Sequence, residues 1–151
     1  MAFTDRSSTG RDTLRTAALA VGAAFLLIGI LGFIPGITTQ FSDLGAAGHE
    51  STAKLLGLFQ VSVLHNIVHL LFGVAGILMA RSRAGARTYL LGGGVIYLVL
   101  FLYGLIIDKS SGANFVPLNS ADNWLHLLLG LGMIALGVLL AKDRVRGTNT
   151  V

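Results

Sequence analysis

The chain contains no cysteine among its 151 residues. Without thiols no disulfide bond can join its loops, and thiolate metal sites, iron–sulfur clusters and cysteine nucleophiles are excluded as well. Charged residues are also scarce, at 12%, whereas hydrophobic residues make up 54%. A soluble domain of this length does not need so large an apolar fraction, so the composition predicts a membrane protein.

The long apolar segments also lack acidic residues in their interiors, where a proton-coupled transporter would usually place one. The sequence has neither a Walker motif for phosphate binding nor a Ser–His–Asp order for nucleophilic catalysis. Its basic residues lie between the apolar segments rather than in one patch, which argues against nucleic-acid binding. We therefore expect neither an enzyme nor a nucleic-acid-binding protein.

Four apolar segments approach the length of about 20 residues with which a helix crosses a bilayer. They run from Leu14 to Ile34, from Leu55 to Ala80, from Tyr89 to Ile107 and from Trp124 to Ala141. Asp122 precedes the fourth segment, where its carboxylate would cap the first helical turn. We predict an all-α integral membrane protein with a single four-helix domain at residues 14–141 and tails at residues 1–13 and 142–151.

The orientation follows from the distribution of Lys and Arg. Nine of the eleven basic residues lie in the two tails, at the start of span one or between spans two and three, and only Lys54 and Lys109 lie on the opposite side. Basic loops stay on the cytoplasmic side of a membrane. The sequence therefore predicts that both termini are cytoplasmic.

A polar pattern occurs inside two of the segments. The motif N-x-x-H-L-L-x-G begins at Asn66 and again at Asn123, at a sequence offset of 57 (123 − 66). A weaker match relates spans one and three at an offset of 72, for example between Gly32 and Gly104. These matches predict two similar helical hairpins of the same orientation, related by an axis along the membrane normal.

The polar and small residues share one face of each motif-bearing helix when residues advance by 100°. On span two these are Ser62, His65, Asn66, His69, Gly73, Gly76 and Ala80, and on span four they are Asn123, His126, Gly130, Gly137 and Ala141. Gln60 falls on the opposite side of span two. Small residues allow helix backbones to approach closely, so Gly73, Gly76, Gly130 and Gly137 are predicted packing positions. The simplest arrangement packs spans two and four face to face.

Two interpretations of the intramembrane Asn and His residues remain open. In the first, Asn66 bonds to His126 and Asn123 bonds to His69, each contact contributing roughly 0.6 to 2 kcal/mol. In the second, His69 and His126 ligate a haem b between facing helices, with His65 as a substitute ligand. Zinc is less favoured, because His65 and His69 have ligand spacing but no carboxylate partner at that depth.

The same residues resemble a known family. The runs from Leu55 to Phe59 and from Leu64 to Gly73 are similar to one signature of the uncharacterised family catalogued as domain of unknown function 4383. The runs from Val116 to Asn119 and from Ala121 to His126 are similar to a second. This four-span membrane family is common in actinobacteria. The resemblance implies four helices and a bacterial cytoplasmic membrane, but no activity. Its motif positions here are Asn66, His69, Asp122, Asn123 and His126.

We therefore expect a small, non-enzymatic, multi-pass membrane protein with a structural or accessory role and without a metal or cofactor. Its expected partners are the lipid bilayer and either another membrane protein or a second copy of itself. One alternative is a haem-b electron carrier that uses His69 and His126. The other is a carrier of a small solute or lipid in a cavity between the hairpins.

Overall fold

The computed structural model describes residues 12–146, with side chains described for residues 12–141. Its four helices are α1 (Thr13–Leu31), α2 (Val63–Met79), α3 (Arg83–Ile106) and α4 (Ser120–Arg146). By length and composition, α1, α3 and the Ser120–Ala141 part of α4 could cross a membrane, and α2 is a shorter apolar helix. The architecture is thus mostly helical and of membrane-protein type. The predicted tails lie largely outside the described residues.

The prediction of one span from Leu55 to Ala80 is wrong in its first third. Three short strands, β1 (Thr38–Thr39), β2 (Lys54–Leu55) and β3 (Phe59–Gln60), form an antiparallel sheet in that order, and α2 begins only after it. The turn between β2 and β3 needs positive φ at Leu56 (54°) and Gly57 (70°). A short apolar run does not by itself distinguish a strand from a helix, so hydropathy alone misplaced this segment. Gln60 consequently lies on a strand rather than on the back of α2.

The helix ends also differ from the predicted spans. The first helix ends at Leu31 rather than Ile34, and α3 begins at Arg83 rather than Tyr89. The residue before α4 is Asn119, whose Oδ1 accepts from the Asp122 backbone N–H at 2.9 Å, while the Asp122 Oδ2 accepts from the Asn119 N–H at 2.9 Å. This reciprocal pair is a capping box, so Asn119 caps the helix and Asp122 supports it from the third helical position.

The helices pack as two hairpins, α1 along α2 and α3 along α4. This arrangement corrects the expectation that spans two and four meet face to face. A methyl group at Gly73 would collide with Leu26 of α1, and one at Gly130 would collide with Leu98 of α3. Helical periodicity identifies a small-residue face, but it does not say which neighbouring helix that face meets.

The two hairpins use matching residues for this close approach. Gly22 lies against Gly73, Gly76 and Ile77, and Gly94 lies against Gly130 and Ile134. Positions on α1 and α3 differ by 72 (94 − 22), and positions on α2 and α4 differ by 57 (130 − 73 and 134 − 77). The predicted packing positions Gly76 and Gly137 are also in close contact with a neighbouring side chain, that of Tyr89 and that of Leu91 respectively. In each hairpin the two helices therefore come into close contact at glycine positions.

The sheet closes one end of the bundle, which we call the sheet end. Leu55 of β2 and the flanking residues Ala53 and Val61 are buried and pack against Ile28 and Leu31 of α1. The connections of the two hairpins are also bonded to each other there. The Gly48 N–H donates to the Phe115 carbonyl at 2.7 Å, and the Gln60 N–H donates to the Asp122 carboxylate at 3.1 Å. We call the opposite end, at which α1 starts and α2 ends, the arginine end.

Candidate functional site

Six polar residues from the repeated motif region are buried in the half of the bundle nearest the sheet end. They are His65, Asn66 and His69 of α2 and Asp122, Asn123 and His126 of α4, and none is more than 9% exposed. Their burial follows from the helical periodicity, because the intervening residues Ile67, Val68 and Trp124 are exposed. The polar face of each helix therefore points inward.

The two Asn residues do not reach the His residues of the other hairpin. Instead, a methyl group at Gly32 would overlap the Asn66 amide, and one at Gly104 would overlap the Asn123 amide. Within the part of the chain that the structure describes, Asn66 Nδ2, Asn123 Oδ1 and His126 Nδ1 are buried without a hydrogen-bond partner. The predicted Asn–His pairs are thus not formed, because each amide fits against a glycine of its own hairpin.

Two of the imidazole groups are fixed by backbone carbonyls. His65 Nδ1 lies 3.3 Å from the Pro117 carbonyl oxygen, and His69 Nδ1 lies 3.0 Å from the His65 carbonyl oxygen. Because a carbonyl can only accept, Nδ1 carries the proton in each neutral ring and Nε2 keeps a lone pair. The two rings stack with their centroids 4.6 Å apart and their planes at 10°.

An aromatic layer from α1 and α3 lies beside these rings. Phe25 contacts His69 with ring centroids 5.6 Å apart, and Tyr97 contacts His126 at 5.1 Å. Phe25 and Tyr97 themselves stack at 5.4 Å, and their positions are related by the same offset of 72 (97 − 25). This pair was not predicted from the sequence, since neither residue belongs to the polar motif. The constant offset was the one signal that could have found it.

His65, His69 and His126 together form a wall between two cavities. The larger, which we call the sheet-side cavity, has a volume of about 210 Å³, and the smaller loop-side cavity has about 110 Å³. All three imidazoles line both cavities. The remaining lining is mainly apolar, apart from Tyr97 and Tyr103 in the loop-side cavity and Asp122 in the sheet-side cavity.

The apolar linings of the two cavities correspond through the same offsets. Ile28 and Leu31 of the sheet-side cavity correspond to Leu100 and Tyr103 of the loop-side cavity. In the same way, Leu125 and Val61 of the sheet-side cavity correspond to Val68 and Leu118 of the loop-side cavity. The first pair of positions differs by 72 (100 − 28) and the second by 57 (125 − 68). The hairpins thus contribute equivalent walls, one cavity lying on each side of the imidazoles.

Asp122 lines only the larger of the two cavities. Its carboxylate accepts from the backbone N–H groups of Gln60 and Asn119, so it joins the sheet to the start of α4. Among residues 12–141, no group of three or more His, Asp or Glu side chains has the arrangement of a metal site. The cluster therefore offers hydrogen bonds rather than a ready coordination sphere.

Comparison with known proteins gives one match. A family model described as Domain of unknown function (DUF4383) matches residues 15–139, which is most of the chain. No curated protein and no solved structure matches the chain. The matched range includes both N-x-x-H-L-L-x-G motifs and all the residues that line the two cavities beside the imidazole wall.

Proposed function

The chain belongs to the DUF4383 family, described only as a domain of unknown function, and on that premise we propose that it is a non-enzymatic membrane carrier for a small, largely apolar molecule. The binding site is the sheet-side cavity, and the imidazoles of His65, His69 and His126 hold the ligand's polar group. The single observation that supports this function is the imidazole wall, whose three rings line that cavity while lone pairs on them have no donor among the described residues.

The proposal includes the placement of the protein in its membrane. We place it as two hairpins of the same orientation in a bacterial cytoplasmic membrane, with both termini cytoplasmic. Support comes from the excess of basic residues at the arginine end and from the matched glycine contacts of the hairpins. The sheet end then faces the outer side, and the cavities lie in the outer half of the bundle.

The chemistry of the cavity defines the ligand class. His65 and His69 present Nε2 lone pairs, so the ligand must offer an O–H or N–H donor. A volume of about 210 Å³ is below the roughly 300–1,000 Å³ of sites that hold drug-sized molecules. The apolar lining by residues such as Ile28, Leu125 and Leu129 suits one or two rings or a short alkyl chain.

Two other functions receive less support from the same geometry. A purely structural or accessory role would explain the buried Asn and His residues as partners in interhelical hydrogen bonds, but these Asn–His pairs are not formed. A haem-b carrier needs room for a macrocycle between His69 and His126, and neither neighbouring cavity reaches the volume of a drug-sized site. The test below distinguishes both functions from the carrier.

The test uses 1-naphthol, a two-ring alcohol with one O–H donor, as the probe. Equilibrium dialysis against the detergent-purified chain should show saturable binding of one molecule per chain. Naphthalene, which lacks the hydroxyl group, should bind roughly two- to tenfold more weakly, the value of one net hydrogen bond. Leu125→Trp should abolish binding by filling the cavity, whereas Leu128→Trp, on the exposed face of the same helix, should not.

The outcomes separate the three functions. Equal binding to both leucine variants would show that the probe enters the detergent micelle rather than the cavity, which would overturn the proposal. A coloured protein whose reduced-minus-oxidised absorbance band is lost in His69→Ala or His126→Ala would establish the haem carrier instead. A colourless chain that binds neither probe, but copurifies with a stoichiometric membrane protein, would favour the accessory role.

A further inference from the structure

A groove at the arginine end lies far from the imidazole wall. It runs between the start of α1 and the end of α2 and has a volume of about 410 Å³. Two arginines, Arg15 and Arg81, line it together with apolar residues that include Leu19 and Ile77. The groove therefore combines positive charge at its end with an apolar surface along the helices.

The charge in this groove is available to a ligand. Arg15 donates from Nε to the Ala80 carbonyl oxygen at 2.9 Å, which orients its guanidinium, and its two terminal nitrogens have no hydrogen-bond partner among the described residues. The Arg81 side chain also has none within that range, and both arginines are exposed. Asp12 lines the groove too, but its carboxylate is paired with Arg83 at 2.5 Å.

We propose that this groove binds one anionic phospholipid, with the phosphate group between Arg15 and Arg81 and an acyl chain along Leu19 and Ile77. Planar guanidinium groups match the oxygens of a phosphate, which they can bind through paired N–H donors. Leu19 is 47% exposed, so an acyl chain in the membrane can reach it. Basic grooves at the cytoplasmic ends of membrane helices recognise anionic headgroups in this way.

The second hairpin supplies a natural comparison. The equivalent positions of α3 keep the arginine, threonine and leucine as Arg87, Thr88 and Leu91, at the offset of 72 (87 − 15). Helix α4 has Val138 at the position equivalent to Arg81, at the offset of 57 (138 − 81). At these matched positions the second hairpin has one arginine where the first has two, so it lacks the paired guanidinium groups proposed to hold the phosphate. The proposal therefore assigns the lipid to the first hairpin and makes Arg87→Gln a matched control.

The experiment is native mass spectrometry of the full chain in detergent with added dioleoyl phosphatidylglycerol or dioleoyl phosphatidylcholine. The acyl chains are identical, so a difference reports the headgroup alone. We expect one phosphatidylglycerol per chain, bound at least about fivefold more tightly than phosphatidylcholine. Arg81→Gln should reduce this preference about fivefold, while Arg81→Lys retains part of it and Arg87→Gln leaves it unchanged.

Three results would overturn the proposal. These are equal affinity for the two lipids, an unchanged preference in Arg81→Gln, or full displacement of phosphatidylglycerol by millimolar inorganic phosphate, which would indicate a free-anion site. The Arg81 side chain makes no hydrogen bond to a described residue, so its substitution should leave thermal stability unchanged and keep the comparison valid. Binding of 1-naphthol should be the same in Arg81→Gln, so the two proposals fail or succeed separately.

Discussion

Replacing Gly32 by Ala tests which partner the buried Asn66 amide has. Gly32 follows α1 with φ −61° and ψ −17°, a conformation that alanine adopts freely, so the backbone itself imposes no cost. The added methyl group would instead overlap the Asn66 amide, which is only 2% exposed. Forcing a methyl into a packed site typically costs about 1–3 kcal/mol, and we expect a destabilisation in that range.

A second substitution should relieve that cost. Asn66→Ala removes the group that the new methyl would meet, and it also removes a buried Nδ2 that has no partner in the described part of the chain. The double variant should therefore be more stable than the sum of the single changes predicts, by a coupling free energy of about 1–2 kcal/mol. Asn66→Ala combined with His126→Ala should be nearly additive, because no hydrogen bond joins those side chains.

The assay is reversible unfolding in mixed detergent micelles, followed by far-UV circular dichroism. Gly92→Ala is the matched control, because a methyl there would meet no atom within 4 Å. It should be neutral, or stabilising by up to about 1 kcal/mol through helix propensity. Equal stability of the Gly32→Ala and Gly92→Ala variants would refute the contact between Gly32 and Asn66. Strong coupling of Asn66 to His126 would instead support a hydrogen bond between those two side chains.

Further measurements address the orientation, the packing and the capping. An impermeant thiol reagent applied to intact cells should label Ser111→Cys but not Ser82→Cys, and the reverse pattern would invert the proposed topology. Gly130→Leu should lower thermal stability in detergent by forcing α4 away from Leu98, while Gly132→Leu, which would meet open space, should not; equal tolerance would contradict the packing. Asn119→Ala should cost about 0.5–2 kcal/mol through loss of the α4 cap, and a smaller effect would indicate that Asp122 alone suffices.

The helical part of the fold could be predicted because burial and hydropathy have a period. The inward face of α2, with His65, Asn66, His69, Gly73 and Gly76, follows from a helical wheel without any knowledge of the neighbours. The strands β2 and β3 could not be predicted in this way. They are two residues long, lie directly before an apolar helix and depend on a turn with positive φ at Leu56 and Gly57.

The second feature that could not be predicted from the sequence is which helix each of these glycines contacts. The sequence indicated that Gly73 and Gly130 lie in close helix contacts, but each contact is formed with the other helix of the same hairpin rather than between α2 and α4. Consecutive helices are usually adjacent in space, and this local preference outweighs the complementarity of two polar faces. The Asn and His pairs inferred from that complementarity were therefore wrong, although the burial of both residue types was not.

The stacked rings of Phe25 and Tyr97 bear on how the protein unfolds. Each ring is supplied by a different hairpin, and Phe25 also contacts Phe72 at 4.9 Å while Tyr97 contacts the same ring at 5.6 Å. Neither hairpin encloses this layer alone, so separating them would expose aromatic surface from both at once. Although the N-x-x-H-L-L-x-G motif occurs twice, the four helices should melt in one cooperative transition, and a single hairpin should not be a folding unit.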